Sequence, residues 1–458
     1  MLYPTRVLGL LVALCFACGG GDSAAPRTGG AGGGAGAGGA GGAAGGAGGA
    51  APRAGQGGAA GGSGAQGGGG EAGKTGVAGA GGAGAGGAPG GGPSDANASE
   101  VAAPADGAGG DAPADGPPLP AGNPFVYVGN NNTTEIRIYE LDLDSGALMA
   151  RGSATSGQNP HYMAFHPSGR YAYALSEVAA GRVYAFAVNP DTGALTRLND
   201  QPSGGNGPAH IGMHRSGKWL LSSNYISGHA AALPILEDGR LGPPVMPRQA
   251  GAQAHMILDD RVTGGFVFVP SKGDNRVLQF RLDEASGVLM PNTPAFVAQG
   301  GAPRHMAFHP SGRYAYLLTE AGHTVVSYRY DQNTGLLSGG QGVAASPNQN
   351  GANGSHILVH PRLDVLYASI RGYNSIAVFT INGEGRAQNP VQVREGIATP
   401  WDFDIDPTGQ YLVMGNFATN TLRVYRINQQ TGALTVVGNG ASGPKPRFVG
   451  IMPRPPAP

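Results

Sequence analysis

The chain of 458 residues carries 29 basic and 29 acidic side chains, so its formal charge is zero with histidine neutral. That balance, with no long run of either sign, excludes the polyanion-binding face that nucleic acid requires. Only two cysteines occur, Cys15 and Cys18, so the remainder of the chain has neither disulfides nor thiolate chemistry available.

Taken from the N-terminus, "MLYPTRVLGLLVALCFACGGG" places an apolar run from Val7 to Ala17 after Arg6. The run is too short to span a bilayer and reads as a signal peptide. Its end, with Ala17 and Gly19 around Cys18, resembles a bacterial lipoprotein signal. That resemblance implies a leader over 1–18, lipidation of Cys18, and a mature protein exported and anchored at the cell envelope, whether outer membrane, periplasm or surface. Ordinary secretion by another cleavage is the alternative. Residues 19–122 are dominated by glycine and alanine and contain no aromatic side chain. Such a segment cannot bury enough apolar surface to offset its ordering entropy and is expected to be a disordered linker.

Over 123–458 one phrase recurs seven times: "PHYMAFHP" at Pro160, "PAHIGMHR" at Pro208, "AHMILDD" at Ala254, "PRHMAFHP" at Pro303, "SHILVHP" at Ser355, "PWDFDIDP" at Pro400 and "PRFVGIMP" at Pro446. The mean period of about 48 residues is that of propeller blades. After each phrase come a turn such as "SGR", a second strand such as "YAYLLTE", a third such as "TVVSYRYD", a turn such as "QNTG", and a weak fourth strand. Tyr, Phe, Val and Ile hold the strands; Pro, Gly, Asn and Asp hold the turns. The last phrase has no second strand after it, whereas "PFVYVGN" at Pro124 has no first strand before it. The two halves predict an all-β, seven-bladed β-propeller whose final blade is shared by both ends of the chain, which removes open sheet edges.

In such a ring the first strand of each blade lines the central channel, and its entrance opens on the same face as the exit of the second strand. The entrance positions are read as His161, His210, His255, His305, His356, Asp402 and Phe448, with the preceding neighbours including Arg304, Trp401 and Arg447. The exits are Asn131, Glu177, Tyr225, Lys272, Glu320, Arg371 and Phe417. Strand and turn letters repeat because blades must pack alike, but the exits differ in charge, which packing does not ask for. Their convergence marks a small-molecule site. Glu177, Tyr225, Lys272, His210 and His305 are expected to contact substrate, although Glu177 could instead neutralise Arg182. His166, His214, His309 and His360 recur beside turns and are expected to be scaffold. The turn glycines lack the helix that a phosphate-binding loop needs. Neither a nucleophile elbow nor a compact metal-ligand motif is present, so no cofactor or metal is expected.

The stretches "GPAHIGMHRSGKWLLSSNY", "RQAGAQAHMILDD", "GAPRHMAFHPSGRYAYLLTE" and "LYASIRGYNSIAVF" resemble the lactonase family of seven-bladed propellers, which includes 6-phosphogluconolactonases and carboxy-muconate cycloisomerases. The resemblance covers Asn123 to Pro453. It implies catalysis by one histidine, one glutamate and two arginines, which fall on His255, Glu320, Arg304 and Arg371. It also implies hydrolysis of a sugar-acid or related lactone, by a protein that the leader marks as exported and that is expected to be a monomer. The chain departs from the family pattern at Trp401, where an arginine is usual, and at Lys272, where an apolar residue is. A cycloisomerase and a non-catalytic surface propeller that binds protein or glycan are the alternative readings.

Overall fold

The structure, a computed structural model, describes residues 122–454 except 348 and 349. The leader, Cys18 and nearly all of the Gly/Ala tract lie outside the described residues. Seven four-stranded antiparallel sheets follow one another, and the described residues contain no helix. In the seventh blade the C-terminal strand Pro446–Met452 is the innermost and pairs with Phe125–Asn130, so both ends of the chain do share the closing blade.

The repeated letters follow from how blades meet. The second strands Phe125–Asn130, Trp219–Asn224 and Tyr411–Asn416 are buried from end to end, whereas fourth strands such as Leu148–Thr155 are mostly exposed. Phe125 and Tyr127 of the seventh blade join one apolar cluster with Met163, Ala172, Ala174 and Phe186 of the first. Fully burying a side chain of that size contributes about 1.5–3 kcal/mol, and the arrangement recurs at every blade junction. The hairpin glycines belong to the same junctions. Gly193 has φ +72° and sits so close to the Phe125 ring that a Cβ would come within 2.7 Å of it. Its carbonyl accepts a hydrogen bond from the Tyr127 hydroxyl at 2.8 Å. A left-handed turn with no side chain is therefore a packing requirement.

The scaffold histidines are ties between blades. His166 reaches the carbonyl of Gly217 at 3.0 Å, His214 that of Gly264 at 2.8 Å and His360 that of Gly409 at 2.9 Å; His309 reaches the Asp364 carboxylate at 3.1 Å. Each partner lies in the following blade.

One repeated irregularity corrects the expected register. Where the innermost strand meets the second, Pro160 pairs with Ser176 but Tyr162 with Leu175, and Pro303 pairs with Thr319 but His305 with Leu318. The first, second, fourth, fifth, sixth and seventh blades all shift register here. A β-bulge inserts one residue and turns it out of the ladder. In the third blade the innermost strand is reduced to Leu258–Asp259 and an isolated bridge from Ala254 to Ser271. Pro270 faces this gap and has no N–H to donate, so only its carbonyl pairs, accepting from the His255 N–H at 2.9 Å.

Candidate active site

Two rings of side chains follow from the bulge, where a single series was expected. The extra residues form a rim at the channel mouth: His161, Ala209, His255, Arg304, Ser355, Trp401 and Arg447. The next residues in the chain form a floor beneath it: Tyr162, His210, Met256, His305, His356, Asp402 and Phe448. His161 and His255 thus belong with Arg304 in the rim, not with His210 and His305.

The floor is bonded to itself. His210 Nδ1 accepts from the Ile257 N–H at 3.4 Å, Met256 Sδ from the Met306 N–H at 3.1 Å, and Asp402 Oδ2 from the Val449 N–H at 3.1 Å. The His210 ring lies 3.9 Å from that of Tyr162 and 5.8 Å from that of His305. Below the floor a cavity of about 590 Å³ runs along the inner strands. His210 and His305, expected to contact substrate, lie in this floor rather than in the rim.

Above it stands Glu320, 7% exposed, at the end of the strand Tyr314–Thr319. Its Oε1 lies 2.8 Å from Lys272 Nζ and 3.4 Å from Arg371 Nη2, and its Oε2 lies 3.2 Å from Arg304 Nε. Burial alone would raise its pKa. Arg304, Arg371 and Lys272 outweigh that and hold the carboxyl below its ordinary range, so it is ionised. The arginines are themselves fixed: Arg304 Nη1 donates to the Ser355 carbonyl, and Arg371 Nη2 to that of Gly354 at 3.3 Å. Both are buried, and the Arg371 guanidinium lies 4.4 Å from the centre of the Trp401 ring.

His255 faces this cluster from the third blade. Burial, joined by Arg304, Lys272, Arg371 and His210, holds its pKa well below the usual imidazole range. The ring is therefore neutral at physiological pH. Its Nδ1 is buried and has no hydrogen-bond partner among the described residues. The ring stands perpendicular to Tyr225 at 5.7 Å, and Lys272 Nζ lies 5.8 Å from the Tyr225 centroid.

The structure thus brings together Glu320, Arg304, Arg371 and Lys272, with His255 and Tyr225 beside them. Glu177 does not join this group. It lies against His161 Nδ1, whose Nε2 is 2.8 Å from Asn131 Oδ1. Nor does Glu177 neutralise Arg182, which pairs with Asp200. Sequence reasoning left Arg447 out of the site, although "PRF" at Pro446 stands in the register of "PRH" at Pro303 and carried the signal.

Three cations gathered on one carboxylate beside a neutral imidazole can polarise a carbonyl and move a proton. Comparisons with known proteins agree with that chemistry. Residues 125–451 match the family model described as Lactonase, 7-bladed beta-propeller. The 6-phosphogluconolactonase of Bacillus subtilis is 30% identical over 345 residues, which cover 71% of this chain and 97% of that protein. That of Serratia proteamaculans is 28% identical over 332 residues, covering 72% and 98%. A solved structure from Bacteroides fragilis is 26% identical, with a TM-score of 0.66 and coverage of 72% and 98%. The chain belongs to the lactonase family of seven-bladed β-propellers.

Proposed function

We propose that this protein hydrolyses a sugar-acid or related lactone, and that the observation carrying the proposal is an ionised Glu320 held by Arg304, Arg371 and Lys272 beside the neutral His255. Glu320 is saturated by cations and is a poor proton acceptor. The neutral imidazole of His255 is the better one. Water attacks the lactone carbonyl carbon as this ring takes its proton. The negative charge that develops on the carbonyl oxygen is stabilised by the Arg304 and Arg371 guanidinium groups. When the intermediate collapses, the bond to the ring oxygen breaks and the imidazolium returns the proton to it, giving a hydroxy acid. The same arginines that lower the basicity of His255 drive the proton back, so the cycle closes without external acid. Glu320 keeps the cations gathered while the site is empty.

The relatives called 6-phosphogluconolactonases make phosphorylated sugar lactones the first candidates. The leader expected over 1–18, with Cys18 as anchor, would place the reaction outside the cytoplasm and favour lactones found there. The experiment is hydrolysis by the purified protein of phosphorylated, neutral and carboxylated lactones, followed by acid release, with His255→Gln and Arg371→Ala alongside. Hydrolysis lost in both variants supports the proposal. Wild-type activity at background on all three classes overturns it in favour of a binding propeller, and isomerisation without net hydrolysis would favour the cycloisomerase reading.

A further inference from the structure

Every second residue of an innermost strand faces the channel, so the layer beneath the floor is set by the letters two places further along the chain. Those letters are Ala164, Gly212, Leu258, Ala307, Leu358 and Gly450 in six blades and Asp404 in the remaining one, the sixth. Alanine and glycine hold most of the layer, so the bore widens below the large rings of the floor into the cavity of about 590 Å³, a size within the range of small-molecule sites. It runs down to the loop 166–169 at the opposite face of the ring. Asp404 is the one ionisable side chain of the layer. Its Oδ2 accepts from the Ile451 N–H at 2.7 Å and its Oδ1 from the Ile405 N–H at 2.8 Å, so each oxygen keeps a further lone pair. No cation pairs with it among the described residues. The two arginines that reach the cavity are held elsewhere, Arg261 at 3.6 Å from Asp259 Oδ1 and Arg454 at 3.2 Å from Glu140 Oε2.

We propose that the lower half of the channel is a second binding site, separate from the mouth, and that it takes a small amphiphile whose apolar body fills the bore and whose primary ammonium group rests on Asp404. A half-buried carboxyl without a cation partner either keeps its proton or takes a cationic ligand. Burial raises the pKa of Asp404 to about 7, so the two states are balanced near neutral pH. An ammonium is compact and brings three donors to the lone pairs that both oxygens still offer. The rest of the wall suits an apolar body: Leu258 and Leu358 share the layer with Asp404, and Met306, Phe308 and Met452 line the cavity around it, the methionines able to follow the shape of the guest. The inference does not rest on the lactonase proposal. The floor stands between the two sites, packed across by the Tyr162 ring at 3.9 Å from that of His210 and 4.8 Å from that of Phe448.

The test uses octylammonium, octanol and octanoate, which share one apolar body and differ in the polar end. At pH 8, where Asp404 is ionised, calorimetric titration into the whole protein should show octylammonium binding about tenfold or more tighter than octanol, with octanoate weakest. Asp404→Asn keeps the shape of the side chain and should bring octylammonium within about twofold of octanol. Leu358→Lys sets an internal ammonium in the same layer and should abolish octylammonium binding by another route. Ala164→Leu narrows the bore and should weaken octylammonium and octanol alike. A wild-type protein that binds none of the three probes, or that binds octylammonium no better than octanol, overturns the inference. So does a preference that survives Asp404→Asn or, if that variant does not fold, one that survives Leu358→Lys. An octylammonium affinity unchanged in Ala164→Leu would put the ligand outside the bore and overturn the inference as well.

Discussion

Nδ1 of His305 lies 2.7 Å from Nδ1 of His356, deep in the channel floor, with Oδ1 of Asp402 3.3 Å further on from the same His356 nitrogen. Two ring nitrogens at that distance share one proton: one ring donates and the other accepts. Burial keeps both rings neutral, and with the charge of Arg304 nearby it brings the pKa of His356 down to about 3. The floor therefore holds together only while it is uncharged.

Acid stability follows from this. His210, His255, His305 and His356 all have folded pKa values held well below the usual 6.5, chiefly by burial. Below pH 6.5 the unfolded chain binds their protons and the folded one does not, so stability falls as pH falls. Asp402 and Asp404 act in the opposite sense, because burial raises both, Asp404 to about 7. Asp259 is raised as well, but His161 joins the four depressed histidines, so on unfolding below pH 6.5 more protons are gained by imidazoles than are released by these carboxyls. The net effect is destabilisation by acid. Denaturant unfolding midpoints should be lower at pH 5 than at pH 7.5; equal midpoints would mean that the histidines are protonated in the folded ring.

Most of this architecture was legible in the sequence, and the part that was not has a single cause. The period, the turns and the unpaired phrases at the two ends determine seven blades and their closure, because each blade must bury the same faces against its neighbours. The exits Glu320, Arg371, Lys272 and Tyr225 stood out since a packing rule alone does not vary charge. What the pattern concealed was the bulge: an inserted residue breaks the two-residue alternation without changing composition, so His255 aligned with His305 although it shares the position of Arg304. Counting back from "MAFHP" in both the first and fourth blades exposes the slip, as Tyr162 then falls on His305 and His161 on Arg304. The side-chain ties of the floor needed coordinates, because Met256 and Asp402 play the part that His210 plays although their chemistry differs.

Replacing Glu320 by glutamine should separate binding from chemistry. The substitution keeps the size of the side chain but leaves Arg304, Arg371 and Lys272 without their shared carboxylate. Turnover should fall by about a hundredfold or more, on the scale of a lost electrostatic group, because the arginines that stabilise the oxyanion lose the carboxylate that positions them. Anionic product should bind more tightly, since the site gains one unit of net positive charge. Weaker product binding would show that Glu320 contacts the ligand directly.

The pH profile tests which group moves the proton. If His255 is the acceptor, its depressed pKa keeps it in the active neutral form well below 6.5. The ratio kcat/KM should therefore stay flat from pH 7.5 to below 6.5 and decline only on further acidification. A decline centred on 6.5 would point to an ordinary, solvated imidazole and remove His255 from the role.

The interblade histidines should affect stability without affecting chemistry, and in a definite order. His309→Ala removes a partly exposed contact to Asp364. With the bond from its Nδ1 to Ser311 at 2.9 Å, these exposed hydrogen bonds are together worth about 1–2 kcal/mol, or roughly 2–4 °C in Tm for a domain of this size. His214 is wholly buried and ties Ser216 to the carbonyl of Gly264, each at 2.8 Å. His214→Ala leaves a cavity and an unsatisfied carbonyl and should cost several times more. Both variants should retain kcat/KM within about twofold at temperatures where they are folded. If His309→Ala lost turnover with an unchanged melting temperature, the lower face of the ring would have to take part in the reaction, and the channel floor could not be the barrier between the two faces that its packing makes it.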